Sequence, residues 1–340
     1  MDEQYNFLTL ASAGEVTATG VLKREPEDFQ VLEHLSFEPT GQGDHVFLNV
    51  KKTGCNTEWV VDQLCQLTGL KPVDIGYAGL KDKHAVTTQW FSLHMPNKGE
   101  PDWTQLPSQL SVNNRIRHNK KLRTGAIDSN QFKIRLRDIK GDKEDLAERL
   151  NKIKVQGFPN YFGPQRFGHQ SANVYKLLGM QNGRRRISKT QKGLYISSGR
   201  SYLFNQILKE RVTQNNWQHM LEGDVMMLNG NRSIFAPEHY DDVIERRVEG
   251  HDIHPAAVLW GRGDSKTSFD AEKIEQNVIA AYPKLTKALE KTDVDLGYRA
   301  MRVVVPNFLW CYEKNDLYLE FSLPSGAYAT VLISEFLLVE

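Results

Sequence analysis

Cysteine is scarce: three residues, Cys55, Cys65 and Cys311, occur in 340, with no C-x-x-C pair. So sparse and odd a set argues against a disulfide framework or a structural zinc site. It fits a reducing, cytoplasmic compartment. Charge of one sign is lacking too. The formal net charge is +1, so the field of the whole molecule selects no partner. No apolar run nears the ~20 residues of a membrane helix. The stretch "TVLISEFLLVE" is apolar but short and carries Glu335, and it reads as a buried terminal element. "MDEQYNFLTLASAGEV" has neither a basic n-region nor a long apolar h-region, so no secretory signal is expected. There is no Walker loop and no G-x-G-x-x-G after a strand, which argues against nucleotide-fuelled chemistry and a nucleotide cofactor. G-x-S-x-G is absent. His84, His94 and His118 share a region, but their spacing fits no metal pattern, and no metal is expected. No internal repeat or low-complexity tract is present.

What remains is an ordinary folded composition, 40% hydrophobic and 25% charged. The length suits about two domains of ~150 residues. "HVFLNVKK" alternates with Val46, Leu48 and Val50 on one face. "NQFKIRLRD" sets Phe132, Ile134 and Leu136 against Lys133, Arg135 and Arg137. "LYLEFSL" aligns Leu317, Leu319, Phe321 and Leu323. These predict half-buried strands of an antiparallel or mixed sheet. Helical spacing appears in "EWVVDQLCQLTG", with Thr57 as the expected cap and Gly69 as the stop. It appears again in "DKEDLAERLNKIKVQG" and "SYLFNQILKERV".

From about Gly157 to Arg302 the pattern is helical or irregular, and strand alternation returns near "RVVVPNFLWCYEKNDLYLEFSL". A sheet domain interrupted by an inserted domain and two consecutive domains both fit this periodicity.

Positive charge is local. "RIRHNKKLR" holds Arg115, Arg117, Lys120, Lys121 and Arg123 with no acid. "GRRRISKTQKG" holds Arg184, Arg185 and Arg186 with two further lysines. Such runs form solvated loops in many proteins. In a chain of near-zero net charge they are also candidate contacts to a polyphosphate backbone. "RRRIS" alone also has the form of a kinase acceptor or an import signal.

One stretch holds an acid among bases. In "IGYAGLKDKHAVTTQW", Asp82 lies between Lys81 and Lys83, with His84 next to Lys83. Upstream, "LKREPEDFQVLE" runs from a helix-breaking Pro26 into a strand-like segment. "LKREPEDFQVLE", "GLKDKHAVTTQW", "GAIDSNQF" and "PNYFGPQRFG" follow in that order. Together they resemble the TruD-type tRNA pseudouridine synthases, nearly end to end, from about Val21 to "LPSGAYATVLISE".

The resemblance implies an α+β fold. A pseudouridine synthase-like catalytic domain with a mixed or antiparallel sheet would span 1–156 plus 303–340. An inserted, largely helical TRUD domain would span 157–302, with a cleft between the two. It implies a cofactor-free isomerase that breaks the bond between uracil N1 and ribose C1′, turns the flipped base and rejoins it through C5. The substrate implied is tRNA, at uridine 13. Asp82 would be the catalytic carboxylate, a type of group that also attacks anomeric carbons in glycosidases. It must be ionised though poorly solvated, which requires a paired cation. The resemblance points to Lys23 as that cation, with Lys81 and Lys83 as alternatives. In an extended segment both flanking lysines would point away from Asp82, toward RNA or solvent.

Phe29, Asn130, Phe132 and Tyr328 are the implied base-binding residues. Asn130 could hold the loop or bond the uracil edge, and Phe132 fits a core position equally well. Tyr328 stands where the family has Phe, adding a hydroxyl that needs a partner. The alternative function is an RNA-binding or RNA-chaperone protein that has lost catalysis. Protein partners are not legible in the sequence.

Overall fold

The "NQFKIRLRD" alternation grows into the longest described strand, β7 (Ile127–Lys140). Phe132, Ile134 and Leu136 are buried on one of its faces, as the spacing predicts. The computed structural model describes residues 4–7, 9–96, 99–180 and 187–340. The chain divides into two compact units. The sheet unit comprises Ala18–Asp142, Val305–Gly326 and Leu338–Glu340. The second comprises the described residues of Met1–Thr17, Lys143–Val304 and Ala327–Leu337. These divisions fall at other positions than 156/157 and 302/303. The first 17 residues and the helix α2 (Lys143–Gln156) are grouped with the second unit.

The sheet unit is built on a ten-stranded mixed sheet. The first six strands are β1 (Thr19–Leu22), β2 (Phe29–Leu35), β3 (His45–Thr53), β4 (Ile75–Tyr77), β5 (Val86–His94) and β6 (Leu110–His118). The central path is Leu309–Glu313, Asp316–Pro324, β7, β2, β5, β3, β6. β1 lies along the far part of β7 with Leu338–Val339 beside it, and β4 flanks β5. β2 and β5 run parallel, as do β1 and Leu338–Val339; the other pairs are antiparallel.

β3 is buried more completely than a half-buried strand. Val46, Phe47, Leu48 and Val50 are all fully buried. Val46, Leu48 and Val50 pack in one cluster with Val60, Val61 and Leu64 of α1 (Thr57–Thr68), whereas Phe47 joins Ala78, Leu122 and Ile127 in another. The cap of α1 is Asn56, whose side chain accepts from the Trp59 N–H at 2.8 Å. Thr57 is the first helical residue instead, which frees its hydroxyl for the loop described below. Gly69 ends α1 at φ 67°, where the absence of a Cβ removes the left-handed penalty.

The second unit contains helices Ala172–Met180, Lys189–Thr213, Phe269–Ala281 and Pro283–Glu290. Leu146, Leu150 and Ile153 of α2 and Phe204, Ile207 and Leu208 of Lys189–Thr213 are buried, as their spacing predicts. The unit also contains a four-stranded antiparallel sheet: Ile234–Phe235, Val225–Leu228, Ile253–Leu259 and Gly297–Ala300. "IHPAAVL" is buried on both faces almost throughout, so it shows no alternation to read.

Among the described residues no helix is long and apolar enough to cross a membrane. All three cysteines are free.

Candidate active site

β1 and β2 lie along the same edge of β7, and the chain leaves the sheet between them. The excursion runs from Lys23 through the turn Pro26–Asp28. Asp28 anchors it: its buried carboxylate takes the Arg137 guanidinium of β7 at 2.8 Å. Burial alone would raise the Asp28 carboxyl, but the Arg137 hydrogen bond and charge outweigh it and hold it low. Lys23 adopts φ 60°, a left-handed conformation costly for a residue with a side chain. Its ammonium forms an ion pair with the Asp82 carboxylate and lies 4.1 Å from the centre of the Phe29 ring. Lys23, not Lys81 or Lys83, is therefore the cation on Asp82.

Asp82 sits in the loop between β4 and β5. Its side chain is 40% exposed, so a substrate can reach it, while that of Lys23 is 20% exposed. Partial burial would raise the Asp82 carboxyl, but the Lys23 hydrogen bond and charge, with the His84 N–H at 3.0 Å, hold it below the ordinary range.

The loop is pinned rather than loose. Gly76 lacks a side chain because a Cβ there would meet the Leu122 carbonyl oxygen at 2.5 Å. The Gly79 carbonyl accepts from the Gln89 amide at 2.6 Å. The Thr57 hydroxyl donates to Gln89 at 3.1 Å and accepts from the Lys81 N–H at 3.0 Å.

Lys81 points inward, contrary to a solvated or RNA-facing position. Its ammonium lies 2.6 Å from the buried Glu33 carboxylate and donates to the Asn130 side-chain amide oxygen, Oδ1, at 2.9 Å. Burial pushes the Glu33 carboxyl up, opposed by the Lys81 charge and hydrogen bond. Asn130 thus braces the loop. Below the loop lies Lys52, fully buried. Its ammonium donates to the main-chain carbonyls of Cys55 at 2.6 Å and Asp82 at 2.8 Å. Burial lowers its pKa.

Phe29 and Phe132 meet edge to face at 5.9 Å, and Phe132 stacks on Phe321 at 5.3 Å. Both are buried. Phe132 is thus a core ring next to Phe29.

The sheet unit accordingly brings together Lys23, Phe29, Asp82, Asn130 and Phe132. Tyr328 belongs to the second unit. There its hydroxyl accepts from Arg166 Nε at 3.2 Å, and its ring packs against Phe162 at 6.2 Å. The guanidinium of Arg299 covers the same Phe162 ring at 4.1 Å.

Of the first basic run, Arg115, Lys120 and Arg123 are exposed. Arg115 lies 3.5 Å from Glu100. Arg117 donates to the Gly43 and Met95 carbonyls at 3.2 and 3.3 Å. Lys121 donates to the Val73 carbonyl at 2.5 Å. Arg184, Arg185 and Arg186 lie outside the described residues. His45 pairs in register with His94 on β5 and His118 on β6, while His84 stays in the Asp82 loop. Among the described residues no group of three or more His, Cys, Asp or Glu could hold a metal ion.

Sequence reading missed Lys52, Glu33, Thr57 and Gln89 as parts of the site. Two of them left a signal. Lys52 continues the buried register Val46, Leu48, Val50, and Glu33 continues Phe29 and Val31 on the buried face of β2. A charge in such a register needs a buried partner.

The site is thus a partly exposed carboxylate held low by one lysine, beside an aromatic ring, on a mixed sheet. The family model described as tRNA pseudouridine synthase D (TruD) matches residues 9–181 and 178–336. A tRNA pseudouridine synthase D of Methylococcus capsulatus is 45% identical over 325 residues, covering 95% of this chain and 92% of the relative. The corresponding protein of Nitrosococcus oceani is 41% identical over 323 residues, covering 94% and 90%. A crystal structure from Methanosarcina mazei, described as a tRNA pseudouridine synthase D, superposes with a TM-score of 0.73 at 20% identity, covering 97% of this chain and 96% of that one. This last match concerns the fold. The chain belongs to the tRNA pseudouridine synthase D family, and it is by class an isomerase.

Proposed function

We propose that the protein isomerises uridine to pseudouridine in tRNA, at position 13, with Asp82 as the catalytic carboxylate. The observation that carries this reading is the Lys23–Asp82 ion pair, in which the carboxylate remains partly exposed. The N1–C1′ bond breaks with its electron pair leaving on uracil. The base turns, C5 bonds to C1′, and the C5 proton departs to a base. A carboxylate contributes by attack at C1′ or by taking a ribose proton toward a glycal. Either role needs it ionised, and Lys23 favours that state. Phe29 serves the site by flanking Lys23. Asn130 serves it by bracing Lys81. Tyr328 offers a stacking face, with its hydroxyl satisfied by Arg166. The working domain is the sheet unit, and residues 157–302, which lie within the second unit, are the inserted part. A tRNA substrate places the enzyme in the cytoplasm.

Incubation with unmodified tRNA, followed by chemical mapping of pseudouridine, tests this. One new pseudouridine is expected at position 13, and none with Asp82→Asn. No modification by the wild type, or full activity of Asp82→Asn, overturns the reading. A non-catalytic RNA chaperone would leave Asp82→Asn functional in the cell.

A further inference from the structure

Lys52 is a charge with an unusual address. It follows Val50 in the inward register of β3 and is completely buried. Burying an ammonium is costly unless its donors are satisfied. No carboxylate lies within ion-pair distance of it among the described residues. Its ammonium donates to two main-chain oxygens, those of Cys55 and of Asp82 itself. Methionine or leucine there would fill similar space without the desolvation cost. What the ammonium adds is a direct hold on the main chain of the catalytic residue.

The charges around it form a small set. Lys23 comes from the segment between β1 and β2, and Glu33 from β2. Lys81, Asp82 and the His84 N–H belong to the loop, and Cys55 sits just before α1. Lys23 pairs with Asp82 and Lys81 with Glu33. Lys52 is the cation left over, so the set carries one surplus positive charge when all its lysines and carboxylates are ionised. The Lys23 pair holds one end of Asp82, its carboxylate. Lys52 holds the other, its carbonyl. Two fixed ends restrict the peptide on either side and with it the direction of the side chain.

We propose that Lys52 is a positioning residue for the isomerisation: by clamping the Asp82 carbonyl from beneath, it aims the carboxylate at the ribose and adds a buried positive potential beside it. The inference rests on Asp82 being the catalytic carboxylate. A misdirected carboxylate loses rate rather than substrate affinity.

The test is steady-state kinetics of Lys52→Met on unmodified tRNA as a function of pH, with wild type and Asp82→Asn alongside. Expected is a fall in kcat of about 10²-fold, the cost of misplacing a reacting group by roughly an ångström. KM should hold, and the acid limb of kcat/KM should move to higher pH. Lys52→Arg, which keeps a charged donor, should recover part of the rate. Unchanged kcat per folded molecule with an unchanged pH profile overturns the proposal, even if Lys52→Met melts earlier. Should both variants fail to fold, nitrogen-15 NMR of lysine-labelled wild type decides. One ammonium, slow to exchange with solvent and charged at the pH of full activity, is expected; absence of a protected ammonium, or a neutral buried amine, overturns it. A wild type that makes no pseudouridine overturns the functional reading instead, and Asp82→Asn with full activity does the same.

Discussion

Glu33 of β2 and Asn130 of β7 are cross-strand partners, and the ammonium of Lys81 closes on both. Three chain segments far apart in sequence meet at one nitrogen, and that nitrogen belongs to the residue before Asp82. Removing one partner of a buried pair leaves the other charge unpaired, at a cost of about 3–5 kcal/mol. Lys81→Met should therefore destabilise the fold by that order in urea denaturation. Adding Glu33→Gln to it should recover most of the loss, because no buried charge is then stranded.

Lys23→Met should act on chemistry through charge. With Lys23 present, the folded Asp82 carboxyl lies below its ordinary value. The stabilisation from that shift is present above the ordinary carboxylate range and is lost as pH falls through the depressed folded value. Without Lys23, the strongest influences opposing burial are gone and the His84 N–H remains, so the Asp82 carboxyl rises from its depressed value. The acid limb of kcat/KM should then move to higher pH and kcat should fall. A pH–rate profile of the variant checks both.

Phe132 should behave as a core residue. It is 8% exposed and stacks on Phe321. Phe132→Ala should cost about 3–5 kcal/mol of stability, the usual result of emptying a large buried site. Chemical denaturation reads this directly, and a near-neutral result would mark the ring as a base contact instead.

The exposed part of the first basic run should reveal itself through salt. Changing Arg115, Lys120 and Arg123 together to alanine should weaken tRNA binding and flatten the slope of log K against log salt, by up to about three phosphate contacts. The same measurement applies to Arg184, Arg185 and Arg186. An unchanged slope would identify either run as a solvated surface.

Glu335 provides a pH signature of stability in the second unit. Its carboxylate accepts the Ser12 hydroxyl at 2.6 Å and the Ser12 N–H at 2.8 Å, and burial pushes its pKa up to about 7. A carboxyl raised on folding binds its proton more tightly in the native state, so stability falls as pH climbs from the ordinary value of 4.5 to about 7. The fall from this group is on the order of 3 kcal/mol. Glu335→Gln keeps an acceptor for Ser12 and should remove that part of the pH dependence. Urea denaturation of both proteins at pH 4.5 and 7.5 makes the comparison.

The strands that face the core on one side were legible because alternation reports one-sided burial. Phe132, Ile134, Leu136, Leu317, Leu319, Phe321 and Leu323 all lie where their spacing puts them. Ile253–Leu259 was not legible because burial on both faces erases the period. Thr57 was read as a cap because it precedes a helical run, but Asn56 takes that role and Thr57 turns to Gln89 and Lys81.

At the site, Asp82 and Lys23 were named through the ordered motifs, since nothing local joins residues 59 positions apart. Lys81 was misjudged for a physical reason. Neighbours of a residue in an extended strand point away from it, which in a charged stretch suggests solvent. Here that direction leads to Glu33 in the interior. Charge in sequence reads as surface unless its burial register is noticed, and that is also why Lys52 was missed.

Residues 338 and 339 lie alongside β1, with Leu338 opposite Thr19 and Val339 opposite Gly20. That ladder ends three residues before Lys23. The sheet beside Lys23 is therefore bordered by a strand from the far end of the described order of elements, not by a sequence neighbour. Contacts so distant in sequence also make folding slow. On this topology the sheet closes only when a segment far along the chain returns to β1, and a chain truncated near residue 337 would lack the strand that borders β1.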